Sequence, residues 1–339
     1  MKEVYPGIYL IEEVGRFKTI KPPVNIYLIP GTDGIIFDAG YGDKKTIRNI
    51  RNEIETLKLE FSKKEENFNI SRILISHCHP DHFSGLKGLR KYLKIRIVLT
   101  KHQAKLIKNK KKYHEAFDGD SYKDYLIIKK GIRGKIRNLF ERLLSHFMYR
   151  MIYRMTFVTQ VDELIENQTQ IFINGEKWEV IASPGHSSDH ISLYNEAKGV
   201  LLSGDNVLSS ITTWLGPPDS DISAYIETIQ HINNLPNLNI ILPAHGDILS
   251  NPQQRIKEIL AHRKERTAQT LQIISQNRDQ GISPGDIIKA LYPDANKVIR
   301  EFARGWVCLT LKSLEEKNKI IRKEDKNNIR FYLINDQDH

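Results

Sequence analysis

Ile73-Leu74-Ile75-Ser76-His77-Cys78-His79-Pro80-Asp81-His82 is an apolar run of strand character that ends in a crowd of metal-binding side chains. Three imidazoles and a carboxylate fall between positions 77 and 82. His and Asp are poor core residues, and crowding them at a strand end costs stability unless something coordinates or neutralises them. In an extended segment His77 and His79 face the same way, while Cys78 between them points to the other side and reads as buried packing. Pro80 starts a turn that aims Asp81 and His82 at a second point close by. The bland reading is two solvated histidines and an Asp that caps a helix; the rest of the chain weakens it.

Three more stretches have the same shape, an apolar strand running into a short loop with a ligand-type residue. Trp178-Glu179-Val180-Ile181-Ala182 leads into Ser183-Pro184-Gly185-His186-Ser187-Ser188-Asp189-His190. Gly199-Val200-Leu201-Leu202-Ser203 leads into Gly204-Asp205, and Asn239-Ile240-Ile241-Leu242 into Pro243-Ala244-His245-Gly246. Glycine beside each ligand admits tight backbone conformations. Sites carried on strand ends are the usual way a sheet presents several side chains to one place. Gly-Asp or Pro-x-His-Gly alone is a weak signal, but the four together are a strong one. His102, His114, His146 and His231 have no ligand-type neighbours and read as ordinary histidines.

The ordered set His77-x-His79-x-Asp81-His82, His186, Asp205, His245 resembles the metallo-β-lactamase superfamily of binuclear metal hydrolases. Pro184-Gly185-His186 with Asp189-His190, Ser203-Gly204-Asp205, Ala244-His245-Gly246, and His262-Arg263 with Arg266 are similar to the branch containing glyoxalase II and the β-lactamase-like protein 2 group. The resemblance covers most of residues 1–265, apart from an unusual segment near 105–160. Asp205 stands where true class B lactamases commonly place Cys, which argues against antibiotic hydrolysis. His79 stands where flavodiiron proteins have Glu, which argues against that redox branch.

The resemblance implies an αββα sandwich over residues 1–264; within it, 105–160 lies outside the resemblance and reads from its own pattern as a basic, largely helical insert or lid. The resemblance also implies two adjoining metal sites: His77, His79 and His186 for one ion, Asp81, His82 and His245 for the other, and Asp205 as the bridge. Two zinc ions suit this nitrogen and oxygen donor set, as do iron or manganese. A bridging hydroxide is the implied nucleophile, with Asp81 orienting it, so that no serine or cysteine nucleophile is needed. His190 is a second candidate catalytic residue, open equally to a substrate-facing role and to a structural one.

Residues 265–339 change character. Ser283 caps a short helix with Pro284 at its first position, a longer helix spans about 297–316, and two strands near 319–322 and 329–334 form a hairpin. This order resembles a winged helix, whose readings are nucleic-acid contact or a structural cap; the family context favours the cap. Charge is uneven: residues 101–150 hold fourteen Lys or Arg against five Asp or Glu, within a chain of net charge +10. Ile136, Leu139, Phe140, Leu143, Leu144, Phe147, Met148, Met151, Ile152 and Met155 predict one apolar helix face, backed by Lys135, Arg137, Arg142, Arg150 and Arg154. Packing on the core, an acyl-accepting lid and an interfacial helix at 135–155 on anionic lipid are its three readings.

Two cysteines, Cys78 and Cys308, give no disulfide framework. With neither a signal-peptide pattern nor a run long enough to cross a bilayer, the expected location is the cytoplasm. The expected activity is hydrolysis of a thioester such as an acyl-CoA or acyl-thiol conjugate, by a monomer or homodimer acting on a small anionic substrate. A metal-dependent endoribonuclease, with the basic segment tracking RNA, and a mononuclear-iron sulfur oxygenase are the alternatives. Against RNA, aromatic residues in the basic segment are few: Tyr113, Phe117, Tyr122 and Tyr125.

Overall fold

The computed structural model describes residues 1–13, 21–117, 144, 147–165, 170–210, 212–216, 218–325 and 328–334. Runs rich in Ile, Val, Leu and Tyr become strands. β1 (Lys2–Tyr5), β2 (Ile8–Glu13), β3 (Val24–Ile29), β4 (Gly34–Phe37), β5 (Ile70–Leu74), β6 (Arg96–Thr100) and β7 (Glu163–Ile165) form one sheet in that order. It is antiparallel from β1 to β4 and parallel from β4 to β7. β8 (Gln170–Ile173), β9 (Glu176–Ala182), β10 (Ile191–Asn195), β11 (Val200–Gly204) and β12 (Ile240–Pro243) form a second sheet, with β11 and β12 parallel at one edge.

Alternation along the strands builds the layers. Leu74, Leu202 and Leu242 point between the sheets and pack with Phe37 and Trp178 in an inner core. Their neighbours Ile73, Leu201 and Ile241 point outward against helices. On the first sheet these include α1 (Lys44–Lys63), which buries Ile47, Ile50, Ile54, Leu57 and Phe61. Burying each such side chain contributes about 1.5–3 kcal/mol. The short α2 (Pro80–Phe83), α3 (Leu86–Leu93), α4 (Lys101–Leu106) and α5 (Lys110–Phe117) follow on the same side.

The second sheet is covered by α6 (Ile222–Asn233), α7 (Pro252–Gln276), α8 (Pro284–Leu291) and α9 (Lys297–Glu316). The last two helices, with the hairpin β13 (Ile320–Asp325)–β14 (Asn328–Leu333), share one apolar cluster with sheet residues Ile181, Leu201 and Ile241. α8 starts as its sequence implies: Pro284 opens the helix and Ser283 accepts from Asp286 N–H. α7 runs without a break through residue 264. The result is the αββα sandwich. Among the described residues no helix is long and apolar enough to cross a membrane.

The expected helix face over 135–155 falls largely on residues outside those described, including Lys135, Ile136, Arg137, Leu139, Phe140, Arg142 and Leu143; Tyr122 and Tyr125 also lie outside them. Where it is described, the segment departs from a single amphipathic helix. Met148–Ile152 forms a π-helical turn, and Arg154 takes a left-handed φ of 50°. A π turn holds more residues than an α turn, so apolar positions spaced by three and four no longer stay on one side. Phe147 and Met151 are exposed, while Tyr149, Tyr153, Met155 and Phe157 pack against the first sheet's helical side. Tyr113 and Phe117 also pack there, not outward as base-stacking platforms.

Candidate metal centre

Five strand ends deliver the site to one edge of the sandwich. Asp38 follows β4, Ser76 and His77 follow β5, His186 follows β9, Asp205 follows β11 and His245 follows β12. α2 carries Asp81 and His82, with Pro80 opening it and His79 at its cap position. Cross-links hold the loops in place. Ile191 N–H donates to Ser76 O (2.8 Å), and Gln103 Nε2 reaches Ile75 O, Ser76 O and Asp189 O. Asn25 Nδ2 donates to Pro243 O (2.9 Å) and Gly246 O (2.8 Å), pinning both sides of His245.

All seven expected ligands come together. His77, His79 and His186 form one group, His77, His82 and Asp205 a second, and Asp81, His82 and His245 a third, the atoms of each within 4.8 Å of one another. Asp205 faces both sides: Oδ2 lies 3.4 Å from His186 Nε2, while Oδ1 lies 3.4 Å from His245 Nε2 and 3.5 Å from His82 Nε2. Asp81 Oδ2 lies 3.4 Å from His245 Nε2.

The outer nitrogen of each histidine meets an oxygen, and this fixes the tautomer. His82 Nδ1 donates to Asp38 Oδ2 (2.9 Å), His186 Nδ1 to Trp214 O (2.8 Å), and His245 Nδ1 to Pro23 O (2.5 Å). His79 Nε2 donates to Asp219 Oδ2 (3.2 Å), and His77 Nδ1 meets Ser76 Oγ (3.0 Å). The inner nitrogens of His77 and His186 are thereby left bare. His186 Nε2 lies 3.2 Å from His77 Nε2 and 2.9 Å from His79 Nδ1. Lone pairs this close repel one another unless a proton or a cation lies among them. His82 Nε2 and Asp205 Oδ1 are buried without a hydrogen-bond partner, a costly arrangement unless a cation satisfies them. The donor set fits bound metal.

Electrostatics divide the site. Burial pushes His186 down to about 4, with His79 beside it acting the same way, and burial also holds His77 well below the usual imidazole value. His82 is raised to about 10, because Asp38, Asp81 and Asp205 more than offset its burial. Asp205 and Asp81 likewise outweigh burial at His245 and raise it to about 9. His77 and His186 thus offer neutral imidazoles, whereas His79, raised because Asp219 more than offsets its burial, joins His82 and His245 in calling for positive charge. The four carboxylates of Asp38, Asp81, Asp205 and Asp219 match the charge of two divalent cations.

The sequence profile of the Metallo-beta-lactamase superfamily matches residues 20–245. The chain belongs to this superfamily. A Caenorhabditis elegans protein named beta-lactamase-like protein 2 homolog is 24% identical over 291 residues, covering 86% of this chain and 78% of that one. An Emericella nidulans protein named atrochrysone carboxyl ACP thioesterase is 26% identical over 153 residues, covering 44% of this chain and 48% of that one. Among solved structures, a beta-lactamase domain protein from Burkholderia ambifaria superimposes with a TM-score of 0.73 at 20% identity, covering 98% of this chain and 93% of the other. A metallo-beta-lactamase family protein from Thermus thermophilus gives 0.70 at 19% identity, with 98% and 100% covered.

Within this metallo-beta-lactamase site, His190 lies behind the ligands. It is buried, its ring stacks on His77 (5.1 Å between centroids), Nε2 accepts from Asp205 N–H (3.1 Å), and Nδ1 meets Ser183 Oγ (2.8 Å). Gly204 permits this closeness: it has φ 53°, and a Cβ there would lie 2.5 Å from His190 Nε2. Cys78 is buried, as its strand parity implies.

Sequence reasoning did not single out Asp38, Asp219 or Ser76, nor the carbonyls of Pro23 and Trp214. For Asp38 a signal existed: Gly34-Ile35-Ile36-Phe37-Asp38 is another apolar strand ending in a carboxylate. The carbonyls have no side-chain signature to read.

Proposed function

We propose that the protein is a two-metal hydrolase of thioesters, with acyl groups carried on coenzyme A or a related thiol as its substrates. One observation carries this reading: Asp205 turns one carboxylate oxygen toward His186 and the other toward His82 and His245. A single side chain placed between two ligand groups suits a pair of ions. His77, His79 and His186 would hold one and Asp81, His82 and His245 the other, with zinc, iron or manganese all compatible with these donors. When bound, such cations polarise a carbonyl oxygen and bring water's acidity into the neutral range.

The protein's residues set the rest. Asp38 and Asp219 accept from His82 Nδ1 and His79 Nε2, which turns the other nitrogen of each ring toward the ligand groups. His190 is assigned to positioning, because it receives the Asp205 N–H and both its ring nitrogens are engaged. Asp81, next to His245, is placed to orient water. Among the described residues, the histidines and carboxylates of the ligand groups are engaged with one another or with their braces, which favours a leaving group that departs without a donated proton. A thiolate, with a thiol pKa near about 8.5, meets that condition far better than an alkoxide. The thioesterase name of the Emericella nidulans relative supports the same substrate class.

The test is metal analysis of purified protein, followed by assays on acyl-coenzyme A, lactone and single-stranded RNA substrates. The expected result is about two ions per chain and preferential thioester hydrolysis. RNA cleavage without thioester turnover would establish the endoribonuclease instead. One iron per chain, with oxygen uptake on a persulfide, would establish the oxygenase.

A further inference from the structure

A cavity of about 830 Å³ is lined by none of the expected ligands and is not used by the reaction just described. The start of α1 and the segment around the π turn build its wall. Lys44, Lys45, Lys110, Arg150 and Arg154 line it, together with the flat faces of Tyr149 and Phe157. One carboxylate, Asp43, also lines it, but Lys21 Nζ (2.5 Å), Thr46 Oγ1 (2.7 Å) and the first amides of α1 occupy that group. Lys44, Lys45, Arg150 and Arg154 have no ion-pair partner among the described residues. Concave positive charge beside aromatic surface attracts an anion that carries a ring system.

The cavity is tied to the metal centre but stands apart from it. The His79 ring meets Phe117 (5.7 Å), Phe117 stacks on Tyr113 (4.5 Å), and Tyr113 meets the cavity residue Tyr149 (5.8 Å). Gly42 N–H donates to Tyr153 O (3.0 Å) and Thr156 Oγ1 to Ser84 O (3.0 Å), which fixes the wall to the end of the helix bearing Asp81 and His82. A phosphate held here is separated from the ligands by a layer of rings, so it is not the group being cleaved.

We propose that this cavity binds the phosphorylated nucleotide end of a coenzyme A-type carrier, whose long arm brings the acyl thioester to the metal centre. The inference rests on the thioester reading above. A carrier of this kind separates its phosphates from its scissile bond, as the ring layer requires. In RNA the scissile bond is itself a phosphodiester flanked by others one nucleotide away, whereas this cavity is set off from the ligand groups by the rings of Phe117 and Tyr113.

The experiment compares coenzyme A with pantetheine, which lacks the nucleotide and its phosphates, by calorimetry on the metal-loaded protein. It uses wild type, an Arg150→Gln/Arg154→Gln variant and a charge-preserving Arg150→Lys/Arg154→Lys variant. Wild type should bind coenzyme A at least about tenfold more tightly than pantetheine, the Gln pair should lose most of that ratio, and the Lys pair should retain much of it. The ratio of kcat/KM for butyryl-coenzyme A over butyryl-pantetheine should fall in parallel. Equal binding of both probes by wild type would overturn the proposal, whatever the hydrolytic activity. A single-stranded oligoribonucleotide that binds through the same arginines, with coenzyme A failing to bind, would also overturn it and assign the cavity to nucleic acid. Arginine-dependent binding of coenzyme A without turnover of any thioester would support the cavity assignment and overturn the thioesterase reading.

Discussion

Asp38 shows how much one unremarked side chain contributes. Oδ1 accepts from Ser76 N–H (2.7 Å), Oδ2 accepts from His82 Nδ1 (2.9 Å), and the residue itself takes φ 70°. Asp38→Asn keeps the shape but replaces one acceptor oxygen by a donor, so either Ser76 or His82 loses its match. Metal affinity should fall by about 10–100-fold, the scale for groups that orient a ligand. Competition with a chelator measures it, and unchanged affinity would show that the carboxylate is not needed. Asp205→Ala removes a carboxylate that faces both ligand groups, so metal content should fall for both proposed ions together. Loss of only one ion would mean that Asp205 serves a single site. The seven expected ligands were legible because they follow apolar strands in short loops, with Gly or Pro beside five of them. Asp219 was not, since in Pro217-Pro218-Asp219-Ser220-Asp221 an Asp reads as turn chemistry.

At the scale of elements, α1 depends on the residue that caps its start. Asp43 accepts from Lys45 N–H and Thr46 N–H and also meets Lys21. Asp43→Ala should destabilise the protein by about 0.5–2 kcal/mol, the range for losing a helix cap. Burial opposes ionisation of Asp43, but hydrogen bonds from Lys21 and Thr46 win, and its pKa lies below the usual value. A carboxyl with a depressed folded pKa contributes stability above its unfolded pKa, near about 4, and that contribution fades as pH falls through the folded value. The difference between wild type and Asp43→Ala should therefore be full at neutral pH and shrink in acid. A difference that did not change with pH would mean that the charged carboxylate is not what caps α1. The same scale shows where sequence periodicity misled. Spacing by three and four predicts a continuous helix face to Met155, yet the π turn at Met148–Ile152 and the left-handed Arg154 end it earlier. The aromatic residues Tyr149, Tyr153 and Phe157, half-buried, pack against the core instead.

Across the whole molecule, the sandwich was legible because its strands, glycines and ligands recur in one order along the chain. The coupling between the C-terminal helices and the metal centre was not, because it rests on contacts between residues far apart in sequence. A Cβ on Gly305 of α9 would lie 2.3 Å from Leu215 O and 2.9 Å from Gly216 Cα. Trp214, just before them, supplies the carbonyl that holds His186, and Thr213 Oγ1 donates to Asp205 O (2.7 Å). From α7, Arg263 Nη2 donates to Thr213 O (2.8 Å). The loop that fixes two ligands is thus wedged between the second sheet and the C-terminal helices. Gly305→Val would force it outward, since inserted carbons in a packed core cost about 1–3 kcal/mol and shift the backbone. The expected outcome is weaker metal binding at the proposed site of His77, His79 and His186, seen as a lower metal content after dialysis. Lys312→Ala, a change at an exposed position on the same helix, should leave metal content alone. If Gly305→Val lowers the melting temperature but keeps wild-type metal affinity, the C-terminal helices stabilise the sandwich without positioning the site.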